Sequence, residues 1–170
     1  MAGKKYIIAN AALYQIGWFC CMLSSDITCG LAVTLLAVWL HMKVSEFPRR
    51  ELIFIVIACL LGYGMDRAVQ SGNWLNLQVT TSNSTYLLLI WILFASTLRS
   101  SFAFIMKYLH RAVLLALCAP AAYLIGQKLE RVHYTEPVIL AMLIHSLSWS
   151  ILMIVLYNIN KKIFTSYEKL

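Results

Sequence analysis

Charge is scarce in this chain, and negative charge most of all. Its 170 residues hold seven Asp and Glu, and charged residues of both signs make up 12%. Soluble domains carry about 25% charged residues, so a water-facing surface of ordinary composition is excluded. The usual signatures of enzymatic chemistry are missing too. There is no His-x-x-x-His pair, no Asp-Asp-x-x-Asp cluster and no Gly-Lys-Ser/Thr phosphate loop. The five cysteines form no Cys-x-x-Cys pair, so neither a zinc site nor a thioredoxin-like redox pair is signalled. No metal site is expected, and spacing implies no organic cofactor. The two halves share no inverted pattern of the kind that marks many transporters.

Apolar sequence fills the space instead, at 61% of the residues with a mean hydropathy of +0.76. Six spanning helices of about 20 residues would use about 120 positions, leaving about 50 for loops and tails. The hydropathy pattern predicts an all-α membrane protein, a six-helix bundle with short loops forming a single polytopic domain over 1–170. The expected spans are 6–23, 27–42, 52–70, 86–106, 112–127 and 137–157. Lys4 and Lys5 before the first apolar run mimic a signal peptide. Asn10, Tyr14 and Gln15 interrupt that run and no small-x-small site follows, so it reads as an uncleaved span. Ser24, Ser25 and Asp26 supply a turn and a helix cap. The connection from Ser71 to Thr85 is polar but contains Trp74, which suits an interfacial segment. Pro137 fits the first turn of the last span, and Pro120 would kink the fifth. The fourth span is the irregular one. Tyr86 to Leu98 covers about 20 Å of a hydrocarbon core about 30 Å thick, so the helix is expected to continue to Met106 and carry Arg99 into the membrane.

The net charge of +7 is explained by orientation. With the N terminus inside, Lys4, Lys5, Lys43, Arg49, Arg50, Arg99, Lys107, Arg111, Lys161, Lys162 and Lys169 are cytoplasmic, 11 of the 14 basic residues. Arg67, Lys128 and Arg131 remain outside. The expectation is N-in and C-in, with phospholipid as the surrounding partner and no nucleic acid.

Ionisable residues inside spans are the sharper signal, because hydrocarbon penalises them by about 2.5 kcal/mol or more. Asp66 and His145 lie at similar depth near the outer ends of the third and sixth spans. Cys59, Gly62, Asp66 and Gln70 share a helix face, as do His145, Ser148 and Trp149. Tyr123 and Gln15 could reach the same level. The candidate ligand pocket is therefore Gln15, Asp66, Tyr123 and His145, with interhelical hydrogen bonding as the competing role. A second group, Arg99, Ser100 and His41, suits contact with a lipid headgroup, with helix packing as its alternative. Gly30, Thr34, Ala37 and His41 line one small face of the second span. Ala122-x-x-x-Gly126 offers another close-packing face, and Gly62-x-Gly64 reads as packing rather than nucleotide binding. Cys20, Cys21 and Cys29 crowd one end of the first hairpin, where a disulfide is chemically permitted beside the plainer packing role. Asn83-Ser84-Thr85 is a glycosylation sequon, silent in a bacterium.

Four stretches together resemble a known family: Asn10-Ala-Ala-Leu-Tyr-Gln-Ile-Gly-Trp-Phe-Cys-Cys, Gly62 to Asp66, Trp91-Ile-Leu-Phe-Ala-Ser-Thr-Leu with Arg-Ser-Ser-Phe after it, and Ala119-Pro-Ala-Ala-Tyr-Leu-Ile-Gly-Gln-Lys-Leu. They are similar to small bacterial inner-membrane proteins grouped as a domain of unknown function. The resemblance covers nearly the whole chain and implies a polytopic helical fold in the inner membrane, with no established activity. Its setting beside lipid-modifying enzymes points to lipid chemistry or lipid handling. That family typically continues its fourth-span motif with Asn-His-Ser where this chain has Arg99-Ser-Ser, which weakens a catalytic role for Arg99. Three functions are thus expected in order. A lipid or small hydrophobic molecule is bound or processed; or the chain is a non-catalytic accessory subunit of a larger membrane enzyme or transporter; or it forms a small oligomeric transporter or channel. The partner would be another membrane protein or a second copy. Whether a reaction occurs stays open.

Overall fold

A computed structural model describes residues 3–24, 26–76, 84–130 and 132–164. Asn83 of the sequon, Ser25, Arg131 and Lys169 lie outside the described residues. The chain folds as α1 (Lys4–Leu23), α2 (Ile27–Val44), α3 (Pro48–Ser71), β1 (Leu75–Asn76), α4 (Ser84–Leu98), α5 (Ala103–Met106), α6 (Leu109–Lys128), β2 (His133–Tyr134) and α7 (Val138–Phe164). Five helices, α1, α2, α3, α6 and α7, are long and apolar enough to cross a membrane. The fourth apolar run is shorter. The all-α expectation holds apart from one two-residue ribbon.

Local chemistry sets several boundaries. The Asp26 carboxylate accepts from the Thr28 N–H at 2.9 Å and from the Thr28 hydroxyl at 2.7 Å, capping α2. Those two donors hold the exposed Asp26 carboxyl below its usual range, the backbone N–H first. Pro48 opens α3, where its missing N–H costs nothing. Pro137 precedes α7 and its carbonyl accepts from Ala141 N–H. Pro120 is buried inside α6. Cys20 and Cys29 form a disulfide between the facing ends of α1 and α2.

The fourth run departs from expectation. It does not continue to Met106: α4 stops at Leu98, a turn follows, and α5 is a separate single turn. The reason is positional. α4 packs against α1, α2 and α3 together, and nearly every side chain from Tyr86 to Leu98 is buried or half-buried. A helix surrounded by protein does not need to match the hydrocarbon thickness. The other long helices form an open ring around it: α1 on α2, α3 on α4 and α7, α6 on α7, with α1 and α6 in little direct contact.

The segment expected at the interface after α3 is a strand partner. Leu75 pairs with Tyr134 and Asn76 with His133, antiparallel, and the Thr135 hydroxyl donates to the Asn73 carbonyl. This ribbon lies at the end opposite Lys4, Lys43, Pro48 and Lys161; those ends are called the ribbon end and the basic end below.

The core is aromatic at its centre. Trp91 of α4 stacks on Trp149 of α7 at 4.9 Å between ring centroids, and Phe94 meets both edge-on at 5.6 and 5.4 Å. Apolar burial from water gives no drive between helices in lipid, so close packing of this kind and buried hydrogen bonds must hold them. Gly62 makes the packing possible: a Cβ there would lie 2.2 Å from the Trp91 ring, whereas one at Gly64 meets nothing. On α6, a Cβ at Gly126 would crowd Met22 and Val132 at 3.1 Å. Gly62→Ala should therefore push Trp91 off α3 and lower stability by about 1–3 kcal/mol, while Gly64→Ala changes little. Thermal unfolding in detergent checks both, and equal behaviour of the two variants would refute the packing role.

Candidate functional site

Three of the four residues expected at the pocket come together. Asp66 and His145 are both 0% exposed. The Tyr123 hydroxyl reaches the Asp66 carboxylate at 2.9 Å to Oδ1 and 3.0 Å to Oδ2. Trp91 Nε1–H donates to Oδ2 at 2.8 Å. His145 Nε2 stands 3.4 Å from Oδ1. Gln15 does not join them: its side of α1 is exposed, because Asn10, Gly17 and Cys21 are the buried positions of that helix.

The hydrogen bonds around His145 fix its protonation pattern. Trp149 Nε1–H donates to Nε2 at 3.1 Å, so Nε2 carries the lone pair. The proton then sits on Nδ1, which donates to the Tyr134 hydroxyl at 2.7 Å. A neutral imidazole whose Nε2 lone pair is taken by Trp149 is not the cationic half of an ion pair with Asp66. Every donor on the Asp66 carboxyl group is therefore neutral. Arg67, the neighbouring cation, turns away to Gln70 at 2.9 Å on an exposed face. Tyr134 comes from the ribbon, outside the helices; burial, reinforced by the Asp66 charge, pushes its phenol well above the usual value.

A cavity of about 250 Å³ lies against this cluster. Tyr123, Trp91 and Trp149 belong both to the cluster and to the cavity wall, and Tyr14 and Trp18 of α1 form the opposite side. The cavity occupies the gap between α1 and α6, and its lining includes Cys118 and Ala122, which are exposed on the outer face of the bundle. Met22, Gly126 and Val132 close it toward the ribbon end. It is an aromatic slot opening sideways, with Asp66 and His145 behind the wall rather than in it.

The residues expected to meet a headgroup are turned inward. His41 is buried, with Nδ1 at 2.7 Å from the Tyr6 hydroxyl and Nε2 at 3.2 Å from Glu51. Arg99 Nε donates to the other Glu51 oxygen at 2.9 Å, Nη1 donates to Asn160 at 2.9 Å, and the guanidinium lies 3.3 Å from the Phe164 ring centre. Ser100 is buried and donates to Asn10 and to the Ser96 carbonyl. This second network joins α1, α2, α3, α4 and α7 at the basic end, and these groups bond to one another there. The expected small face of α2 is the buried one: Gly30, Thr34, Ala37 and His41.

Sequence reasoning passed over Glu51, Asn10 and Tyr134. Glu51 follows Arg49-Arg50 and looks like part of an interfacial charge group. Tyr134 sits in a loop with no periodic signal. Asn10 inside an apolar run was the readable one, since a polar amide in hydrocarbon needs partners; Ser100, Ser101 and Ser96 supply them. Among the described residues no group of three or more His, Cys, Asp or Glu could hold a metal ion.

The matching family is decided by residues 7–155, which fit the one described as protein of unknown function (DUF2878). The chain belongs to that family. The match takes in the whole Asp66 network and most of each helix, while Tyr6, Asn160 and Phe164 of the second network lie outside it, and the resemblance read from the first, third, fourth and fifth apolar runs holds. No curated protein and no solved structure matches the chain.

If Asp66 is the acceptor that ties α3, α4 and α6 together, its loss strands two buried donors. Asp66→Ala should destabilise by about 3 kcal/mol, and Tyr123→Phe, which removes one donor, by about 1 kcal/mol. Chemical denaturation in detergent orders the two. An Asp66→Ala loss no larger than that of Tyr123→Phe would remove Asp66 from the centre of the network.

Proposed function

We propose that this DUF2878 member is a six-span protein of the bacterial inner membrane, one polytopic domain with both termini in the cytoplasm, that binds a lipid or small hydrophobic molecule. The binding place is the cavity between α1 and α6. The observation that carries the reading is the sideways opening of that aromatic slot, between two helices that elsewhere hardly touch. Ligand pockets are mostly apolar with few polar groups at fixed positions, and an entrance facing lipid admits molecules already dissolved in the bilayer. Asp66 and His145 serve it indirectly, holding Trp91, Tyr123 and Trp149 as a rigid wall.

Two features support the orientation. Basic residues crowd one end, as cytoplasmic ends do. The Cys20–Cys29 disulfide lies at the other end, which suits an oxidising compartment such as the periplasm.

The binding reading is checked on protein extracted gently from its own membrane. Organic extraction and mass spectrometry should find a retained hydrophobic species that is absent from Ala122→Trp, whose exposed rim position blocks the slot without entering the core. Equal content in both proteins would place any retained lipid elsewhere. For orientation, Asn76→Cys should react with a membrane-impermeant maleimide in intact spheroplasts, and Glu46→Cys only after lysis. The reverse order would invert the topology.

A further inference from the structure

The cavity wall is not wholly apolar, and two of its polar groups, both on α1, are unspent. Tyr14 and Trp18 stand four residues apart on α1, hence on one face of that helix. Both line the cavity. The Tyr14 ring is fixed against Phe94 and Phe102, at 6.3 and 6.2 Å between centroids. Trp18 packs edge-on to Phe19 at 5.2 Å. Neither the Tyr14 hydroxyl nor the Trp18 indole N–H has a hydrogen-bond partner among the described residues, and neither atom is fully buried, so both reach open space.

That contrasts with the facing wall. The polar atoms of Trp91, Tyr123 and Trp149 are all engaged behind it, with Asp66 and His145. Only their ring faces and edges are turned to the space. One wall is therefore chemically apolar, and the residues of the other carry an unbonded hydroxyl and an unbonded N–H. Water is a poor partner for groups that open onto hydrocarbon, and an unmade hydrogen bond there is costly. The indole N–H can only donate, so the group that meets it must accept.

We propose that the cavity is specific for an apolar molecule carrying a hydrogen-bond-accepting oxygen, such as a carbonyl, ester or ether, which takes the Tyr14 hydroxyl and the Trp18 N–H. This rests on the binding reading above and names the ligand class for the same site. The hydrocarbon part of the molecule lies against Trp91, Phe94 and Trp149. Its oxygen faces α1, and its remainder leaves between α1 and α6 into the lipid. A pure hydrocarbon fills the slot but leaves both donors unsatisfied.

The test uses two probes of nearly the same shape, menadione with two carbonyl oxygens and 2-methylnaphthalene with none. Their affinities for the full chain in detergent micelles are measured by calorimetric titration. Menadione should bind more tightly, by about fivefold for each hydrogen bond it accepts. Tyr14→Phe, which removes only an unbonded hydroxyl, should reduce that preference by the share of one hydrogen bond while leaving 2-methylnaphthalene binding and the melting temperature unchanged. Trp18→Phe should reduce it in the same direction. Equal binding of the two probes to the parent chain would overturn the oxygen specificity and leave the cavity as a plain hydrophobic site. A lower melting temperature for Tyr14→Phe would show that its hydroxyl already has a structural partner, and would overturn the proposal too. Failure of both probes to bind would sink the ligand class and the binding reading together.

Discussion

Hydrocarbon supplies no hydrogen bonds, so each polar side chain that this chain takes into the bundle must find its partners in the bundle. Asp66 is where that constraint gathers most structure. One carboxyl group accepts from α4 through Trp91 and from α6 through Tyr123, and its neighbour His145 brings in α7 and the ribbon through Trp149 and Tyr134. Helices that have no apolar drive to associate in lipid are set in register by a few directional contacts. The aromatic stack of Trp91, Trp149 and Phe94 then fills the space between them. Gly62 is part of the same device, since only a missing Cβ lets the Trp91 indole lie on α3 with its N–H turned to Asp66.

The basic end repeats the arrangement with different residues. There Tyr6 meets Nδ1 of His41 and Glu51 meets Nε2, just as Tyr134 and Asp66 flank His145. Both carboxyl groups come from α3, one near each end. The two networks differ in charge, however. Glu51 has the Arg99 guanidinium beside it, while Asp66 has only neutral donors. α3 is thus pinned at both ends by polar contacts and in the middle by apolar packing.

Helix positions were legible because long apolar runs and their breaks say where a chain can cross hydrocarbon. The small face of α2 could be read from spacing alone, and Asp66, Tyr123 and His145 could be grouped by depth. What escaped needed pairing between distant segments. Tyr134 reaches His145 only because a loop near residue 134 forms a ribbon with one near residue 75, and no local period announces that. Gln15 shared the right depth but the wrong side of its helix, since α1 buries the face of Asn10, Gly17 and Cys21. Arg99 was misplaced for another reason: hydropathy measures a run, and it does not register that α4 is shielded from lipid. Glu51, sitting beside two arginines, looked like surface charge until Arg99 and His41 closed over it.

The shortness of α4 bears on how the chain is built. At about 22 Å, this 15-residue helix would leave polar backbone in hydrocarbon if released alone into a bilayer. Its natural environment is the groove made by α1, α2 and α3, which are synthesised before it. In the folded chain those three helices surround α4, so it lies against protein rather than lipid. α6 and α7 arrive afterwards and complete the wall around Trp91. The slot between the first helix and the sixth is the seam where late-made helices close on early-made ones.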